Sequence, residues 1–183
     1  MKQWQKLHPD GQIIARDLAV SHLPPINAEW IAAAYTPEGD LTPSARQALA
    51  ISNELIAELQ AADEYVFGVP MHNFSIPGTL KLWIDQIVRV GKTFSYNNGG
   101  AEALLRNKKA TFLIASGGVY DPGSPSAAMN FVEPYLRSMF AFIGVTETKF
   151  INAGGAAKIR YGVDRGVILQ PALASIEAQF QAA

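Results

Sequence analysis

Residues with reactive side chains are sparse in this sequence. It contains no cysteine, which excludes thiolate chemistry, disulfides and thiolate metal sites. The histidines, His8, His22 and His72, lack metal-ligand spacing, so no metal is expected. No acid, base or nucleophile stands out. The stretch that could do chemistry does it through its backbone. Glu64-Tyr65-Val66-Phe67-Gly68-Val69 is a nearly continuous apolar run ending at Pro70, and it reads as a strand covered on both faces. Met71-His72-Asn73-Phe74 follows as an irregular loop. Pro77 then suits the first position of a helix over 77–90, where its missing N–H is harmless. Ligands of open α/β sheets bind outside the carboxyl ends of the strands, so this loop is where a ligand would lie.

Other elements must position that loop. Leu80, Ile84 and Ile87 recur at helical spacing with Trp83 beside them as packing, and Gly91 is a left-handed stop. Asp85 and Arg89, four apart, predict a surface ion pair. Upstream, Trp4 and Leu7 mark a helix closed by His8-Pro9-Asp10-Gly11, and residues 12–17 read as a short strand. Residues 19–40 carry Pro24-Pro25, Pro37 and Gly39, and read as a surface excursion with a helical piece near Ala28–Ala34. Thr42 as N-cap and Pro43 open a helix striped by Ala48, Ile51, Leu55 and Leu59. Residues 93–100 read as a loop rich in aromatics and glycine. Residues 110–115 form a second buried-type strand running into Ser116-Gly117-Gly118, a glycine pair that is by itself only a turn signal. Phe131, Tyr135, Met139 and Phe142 stripe a helix ending near Gly144, and all but Phe142 face the core or a dimer interface. Residues 146–151 give a last strand, and Leu169, Leu173, Ile176 and Phe180 a closing helix.

Strands near 12–17, 64–69, 110–115 and 146–151 alternate with helices. The expectation is one α/β domain over 1–183, a doubly wound parallel sheet with helices on both faces. Apolar residues make up 49% and charged residues 17%, so the chain is globular. Fifteen basic against sixteen acidic residues leave a formal charge of −1, which argues against nucleic acid or an anionic membrane as partner. No apolar stretch approaches the roughly 20 residues of a membrane helix. No signal-peptide pattern opens the sequence, and a cytoplasmic location is expected.

Pro70-Met71-His72-Asn73-Phe74-Ser75-Ile76-Pro77, then Leu80-Lys81-Leu82-Trp83-Ile84-Asp85, then Gly91-Lys92-Thr93-Phe94-Ser95-Tyr96 resemble the FMN-dependent NADH-azoreductases, also called FMN-dependent NADH:quinone oxidoreductases. The resemblance covers essentially the whole chain, including the later Gly-Gly and Phe142-Ile143-Gly144. It implies a three-layer flavodoxin-like fold, a homodimer and non-covalent FMN. It also implies two-electron, ping-pong reduction of quinones and azo compounds by NADH. By the same resemblance, Met71, His72, Asn73 and Phe74 match the loop against the flavin ring. Ala115, Ser116, Gly117 and Gly118 match the second flavin loop, and Tyr96 and Phe142 match aromatic positions lining the substrate site.

Family members often carry Tyr in place of His72 and Arg in place of Ser116, so at these two positions the resemblance implies backbone contacts rather than side-chain roles. They also begin with a strand and a Ser-rich phosphate loop, whereas Met1 here falls inside the helix that follows. The first strand and most of the phosphate site are therefore expected to be absent from residues 1–183, leaving this stretch a poor FMN binder and unstable alone. Flavin carries the redox chemistry, so no catalytic residue is required. The protein would supply N–H groups for the charge on the reduced ring and, at Gly117 and Gly118, a backbone without Cβ that can approach a flat ring. The competing expectation is a flavodoxin-like dimerising protein without tight FMN binding and without catalysis.

Overall fold

In chain order, α1 (Lys2–Leu7), α2 (Ala28–Ala34), α3 (Pro43–Ala48) and α4 (Ala50–Ala61) precede β1 (Glu64–Pro70). Then come α5 (Gly78–Ile87), β2 (Phe94–Asn97), β3 (Gly100–Ala103), β4 (Lys109–Ala115), α6 (Val132–Ile143), β5 (Glu147–Ala153) and α7 (Arg165–Gln181). The computed structural model describes residues 1–97 and 99–181, with only the backbone of Phe180 and Gln181. Strands β1, β4 and β5 form a parallel sheet in that spatial order, as the buried runs and intervening helices require.

The core is aromatic. Phe67, Phe112 and Phe150 are direct neighbours across the three strands. Their rings stack at centroid distances of 5.0 and 4.9 Å. Trp83 of α5 and Phe140 of α6 meet Phe67 edge-on at 5.4 and 5.2 Å. Phe112 is fully buried. Each buried ring contributes about 1.5–3 kcal/mol from area alone, and each well-placed pair about 0.5–1.5 kcal/mol more.

Several sequence expectations change in the structure. Strand β1 alternates instead of being covered on both faces: Tyr65 and Val69 are buried and Val66 is 49% exposed. Helices α5 and α6 cover its aromatic face. On the other face α7 packs on β5 and reaches Thr111, to which Gln179 Nε2 donates at 3.2 Å. Residues 12–17 pair with no described strand. Ile13 and Ile14 are both exposed, and Arg16 ties the segment to Glu54 and Glu58 of α4. Adjacent isoleucines point to opposite sides of an extended chain, so they define no single face to bury.

The helix from Thr42 is capped as expected, with Ala45 N–H donating to Thr42 Oγ1 at 3.2 Å. It breaks at Leu49, however, which joins Trp30 and Ala33 in a satellite core. Helix α5 starts at Gly78 and ends at Ile87, with Pro77 as its N-cap. Arg89 therefore lies past the helix, and the ion pair with Asp85 does not form. Asp85 accepts from Lys81, while buried Arg89 donates to Ser52 Oγ at 2.8 Å and to Asn53. Burial lowers the Arg89 pKa from its ordinary value.

The expected loop at 93–100 is the first part of the antiparallel hairpin β2–β3. Thr93, fully buried, closes the turn by donating from Oγ1 to Ile87 O at 2.7 Å. On α6 the fully buried stripe is Val132, Leu136, Phe140 and Ile143, one position beyond the expected one, and Phe131 and Phe142 are exposed. In α7, Leu173 is exposed and Ala172 buried; the expected contact of Phe180 lies outside the described residues.

Replacing Phe112 by Ala should cost about 3–5 kcal/mol through the cavity left in the ring stack. Phe131→Ala, at an exposed position, should stay within about 0.5 kcal/mol. Urea unfolding of both variants checks this, and equal losses would contradict the assigned core.

Candidate functional site

Strand register decides where the loops begin. Pro70 lies opposite Ala115, and Ala115 opposite Ala153. The ladder runs one bond further on each side, with Met71 N–H donating to Ala115 O at 2.8 Å and Ser116 N–H to Ala153 O at 3.2 Å. Three chain segments thus leave the carboxyl edge of the sheet side by side.

The first loop is a tight turn. His72 N–H donates to Ser75 O at 2.9 Å, and Ser75 N–H returns a bond to His72 O at 3.0 Å. Between them Asn73 and Phe74 have φ of 48° and 70°, the positive values a type I′ turn needs at both central positions. Asn tolerates this region, whereas Phe is held there at a cost of about 1–2 kcal/mol. Two contacts offset that cost. Phe131 N–H donates to Phe74 O at 3.0 Å, and the Tyr120 ring meets the Phe74 ring at 6.1 Å, nearly perpendicular. The N–H groups of Asn73 and Phe74 find no acceptor among the described residues. The start of α5 has no side-chain cap, so its first N–H groups and the helix dipole add positive potential beside the turn.

The second loop is equally open on one side. Ser116 is buried and donates from Oγ to Gly118 O at 2.9 Å. Gly117 and Gly118 N–H groups find no acceptor among the described residues. A methyl group on Gly118 would meet Tyr120 Oη at 2.9 Å, so the Tyr120 ring would have to shift to admit it. At Gly117 such a group would meet, among the described residues, Ala157 Cβ at 3.7 Å, an ordinary contact. A small cleft between the loops is lined by Met71, Ile114, Ser116, Tyr120, Asn130 and Asn152, among others. Asn130 Oδ1 caps α6 by accepting from Val132 and Glu133 N–H at 3.2 Å each. Asn152 Nδ2 donates to Asp121 Oδ1 at 2.8 Å.

The structure therefore brings together Met71, His72, Asn73 and Phe74 with Ala115, Ser116, Gly117 and Gly118. Four backbone donors on two neighbouring loops, with no Cβ on the second, fit the acceptor edge of a flat ring such as flavin. The remaining two sequence-predicted residues form a different cluster. The Phe94 ring lies 5.5 Å from Tyr96 and 4.8 Å from Phe142. Tyr96 is 65% exposed. Phe131 is tied to the first loop, and Phe142 lies further along α6 by about 16 Å at 1.5 Å per residue.

Sequence reading missed Tyr120, Asn130 and Asn152. Asn130, standing before a helical stripe, carried an N-cap signal that could have found it; the other two carried none. No described cluster of His, Asp and Glu could hold a metal, and no described helix is long and apolar enough to cross a membrane.

Comparison with known proteins places these features in context. The family described as flavodoxin-like fold matches residues 1–179. An FMN-dependent NADH:quinone oxidoreductase of Acidobacterium capsulatum is 49% identical over 171 residues, covering 93% of this chain and 83% of that protein. FMN-dependent NADH:quinone oxidoreductase 3 of Burkholderia lata is 43% identical over 98% of this chain and 87% of its own length. Among solved structures, an azoreductase from Bacillus anthracis superposes with a TM-score of 0.83 at 28% identity, over 99% of this chain and 85% of that one.

The turn geometry at Asn73 is directly testable. Asn73→Val, β-branched at a positive φ, should be less stable than Asn73→Gly by about 1–2 kcal/mol in the flavin-free protein. Denaturant midpoints measure the difference, and indistinguishable variants would contradict the left-handed turn.

Proposed function

This chain belongs to the flavodoxin-like-fold family of FMN-dependent NADH:quinone oxidoreductases, and from that premise we propose that it reduces quinones and azo compounds by two electrons, with NADH as donor and FMN as its bound cofactor. The observation that carries the proposal is the pair of neighbouring loops with four uncommitted backbone N–H groups at the carboxyl edge of the sheet. When bound, FMN would supply the redox chemistry, a hydride acceptor for NADH and a donor of two electrons to an acceptor that also takes up protons.

The chain's own residues position and polarise. Asn73 and Phe74 N–H, backed by the start of α5, stabilise negative charge on the ring edge they face. Gly117 and Gly118 N–H groups take a second acceptor edge. Met71, packed against the core, is a fixed wall of the site. His72 is exposed and contributes through its backbone turn. The Ser116 hydroxyl is committed to Gly118 O, so Ser116 acts through loop shape, as does Ala115 through Met71.

Tyr96 and Phe142 offer flat aromatic surface for a quinone or azo substrate. Their distance from the loops along α6 supports a reading in which they serve the site of a second copy, in a homodimer with two shared sites. Exposed Tyr96, Phe131 and Phe142 supply apolar surface for such an interface. The near-neutral charge and lack of cysteine fit a cytoplasmic enzyme without nucleic-acid or membrane partners.

Asn73→Pro removes one N–H and cannot adopt the observed φ. FMN affinity should fall about tenfold or more, and flavin bleaching by NADH should slow, read by fluorescence titration and absorbance. Unchanged affinity would remove the loop from the site. A natural protein that purifies as a dimer but takes up no FMN would favour a flavodoxin-like dimerising protein without catalysis.

Tyr96→Ala should raise the quinone KM several-fold and leave FMN affinity unchanged. Sedimentation at micromolar concentration should give the mass of a dimer; a strictly monomeric mass would defeat the shared-site arrangement.

A further inference from the structure

Residues 154–157 run alongside the second loop, and their N–H groups meet its carbonyls in a block. Gly155 N–H donates to Gly118 O at 2.9 Å, Ala156 N–H to Ser116 O at 3.0 Å and Ala157 N–H to Gly117 O at 3.0 Å. Gly118 O also accepts from Ser116 Oγ. Every carbonyl from 116 to 118 is therefore engaged. A trans peptide plane carries its C=O and its N–H on opposite sides. Fixing the carbonyls of Ser116 and Gly117 thus turns the N–H groups of Gly117 and Gly118 the other way. Those are the two N–H groups left without a described acceptor.

Gly154 is where the two segments pack most closely. A Cβ there would meet Gly118 O at 3.1 Å and Val119 Cα at 3.4 Å, both backbone atoms. Gly155 turns the chain with φ of +86° into the short helical turn Ala156–Tyr161, which anchors the far end.

We propose that residues 154–157 are positioning residues for cofactor binding: a backbone strap that sets the direction of the Gly117 and Gly118 N–H groups, with close packing at Gly154 holding its start against the loop. The proposal rests on the FMN reading above and adds to it a segment that touches the loop and not the ring. Two properties should depend on the strap. One is flavin affinity. The other is the potential of bound flavin, because N–H groups aimed at the ring favour its more negative, reduced form.

The test uses full-length Gly154→Ala and Gly154→Val. Flavin affinity should fall about tenfold for Ala, the loss of one hydrogen bond's worth of binding, and further for Val. The midpoint potential of bound flavin should move to more negative values in the same order. Melting of the flavin-free protein should stay near that of the natural chain for Ala. Should the Val variant fail to fold, the Ala variant decides alone. Affinity and potential equal to the natural protein's would overturn the strap. So would an affinity loss in Gly154→Ala matched by a large drop in flavin-free melting, which assigns Gly154 to packing. If the natural protein itself takes up no FMN, the cofactor reading fails and the strap with it. If the natural protein binds FMN and the variants match it, only the strap fails.

Discussion

Phe67, Phe112 and Phe150 stand side by side across three strands, and their stacking fixes a register that ladder hydrogen bonds alone would leave open. Side chains alternate along a strand, so a one-residue slip would turn a phenylalanine out of the core and toward the opposite face. Trp83 and Phe140 close over the row from α5 and α6, and Arg137 lies over the Phe150 ring at 4.5 Å. Three residues further along, the same register sets Pro70, Ala115 and Ala153 level with one another. The two candidate flavin loops and the strap then start from one line. The site inherits its alignment from the core and needs no contact with a side chain of its own to obtain it.

What the loops present is backbone. The four N–H groups at Asn73, Phe74, Gly117 and Gly118 are uncommitted because local bonding engages their neighbours: the paired bonds between His72 and Ser75 on one side, the strap bonds on the other. Phe74 sits in a left-handed conformation that a large side chain disfavours. Tyr120 and Phe131 hold it there, and the same Tyr120 lies close over Gly118. The two loops therefore pack against one ring. A substitution at Tyr120 would be felt in both.

The sequence made the strands 64–69 and 110–115 legible because each is an apolar run, and the Met71–Phe74 and Ser116–Gly118 loops legible because they follow such runs; 146–151 is a β-branched, largely polar stretch between Gly144 and Gly154. The misses have physical causes. Residues 12–17 have strand-like composition, but the ion pairs of Arg16 hold them against α4 without a ladder. The hairpin β2–β3 hides in a glycine-rich stretch because its pairing, not its propensity, makes it a strand. Asp85 and Arg89 have helical spacing only if the helix continues, and Thr93 ends it first. On α6 two stripes one residue apart are both apolar; the sheet buries one and leaves Phe131 and Phe142 on the other. The close contact of Gly154 is not legible locally, since the carbonyl it approaches lies thirty-six positions earlier in the chain.

Helix α5 connects the two halves of the proposed site, with the Asn73 turn ahead of its start and the Tyr96 hairpin beyond its end. Buried polar contacts fix its placement. Trp30 Nε1 donates to Gln86 Oε1 at 2.9 Å, Gln86 Nε2 to Pro24 O at 3.0 Å, and Ser52 Oγ to Gln86 O at 2.6 Å. Arg89, buried without a carboxylate within ion-pair distance among the described residues, completes the set through Ser52 and Asn53. A buried cation held by neutral partners is costly unless its donors are well placed, so this joint tolerates little movement between α4 and α5. In the proposed dimer, the Tyr96 cluster of one copy must reach the loops of the other, and the placement of α5 sets that span. A stiff α5 makes that span a property of the fold. The surface excursion carrying Pro24 and Trp30, remote from both loops in the chain, thereby bears on how the two halves of the site meet.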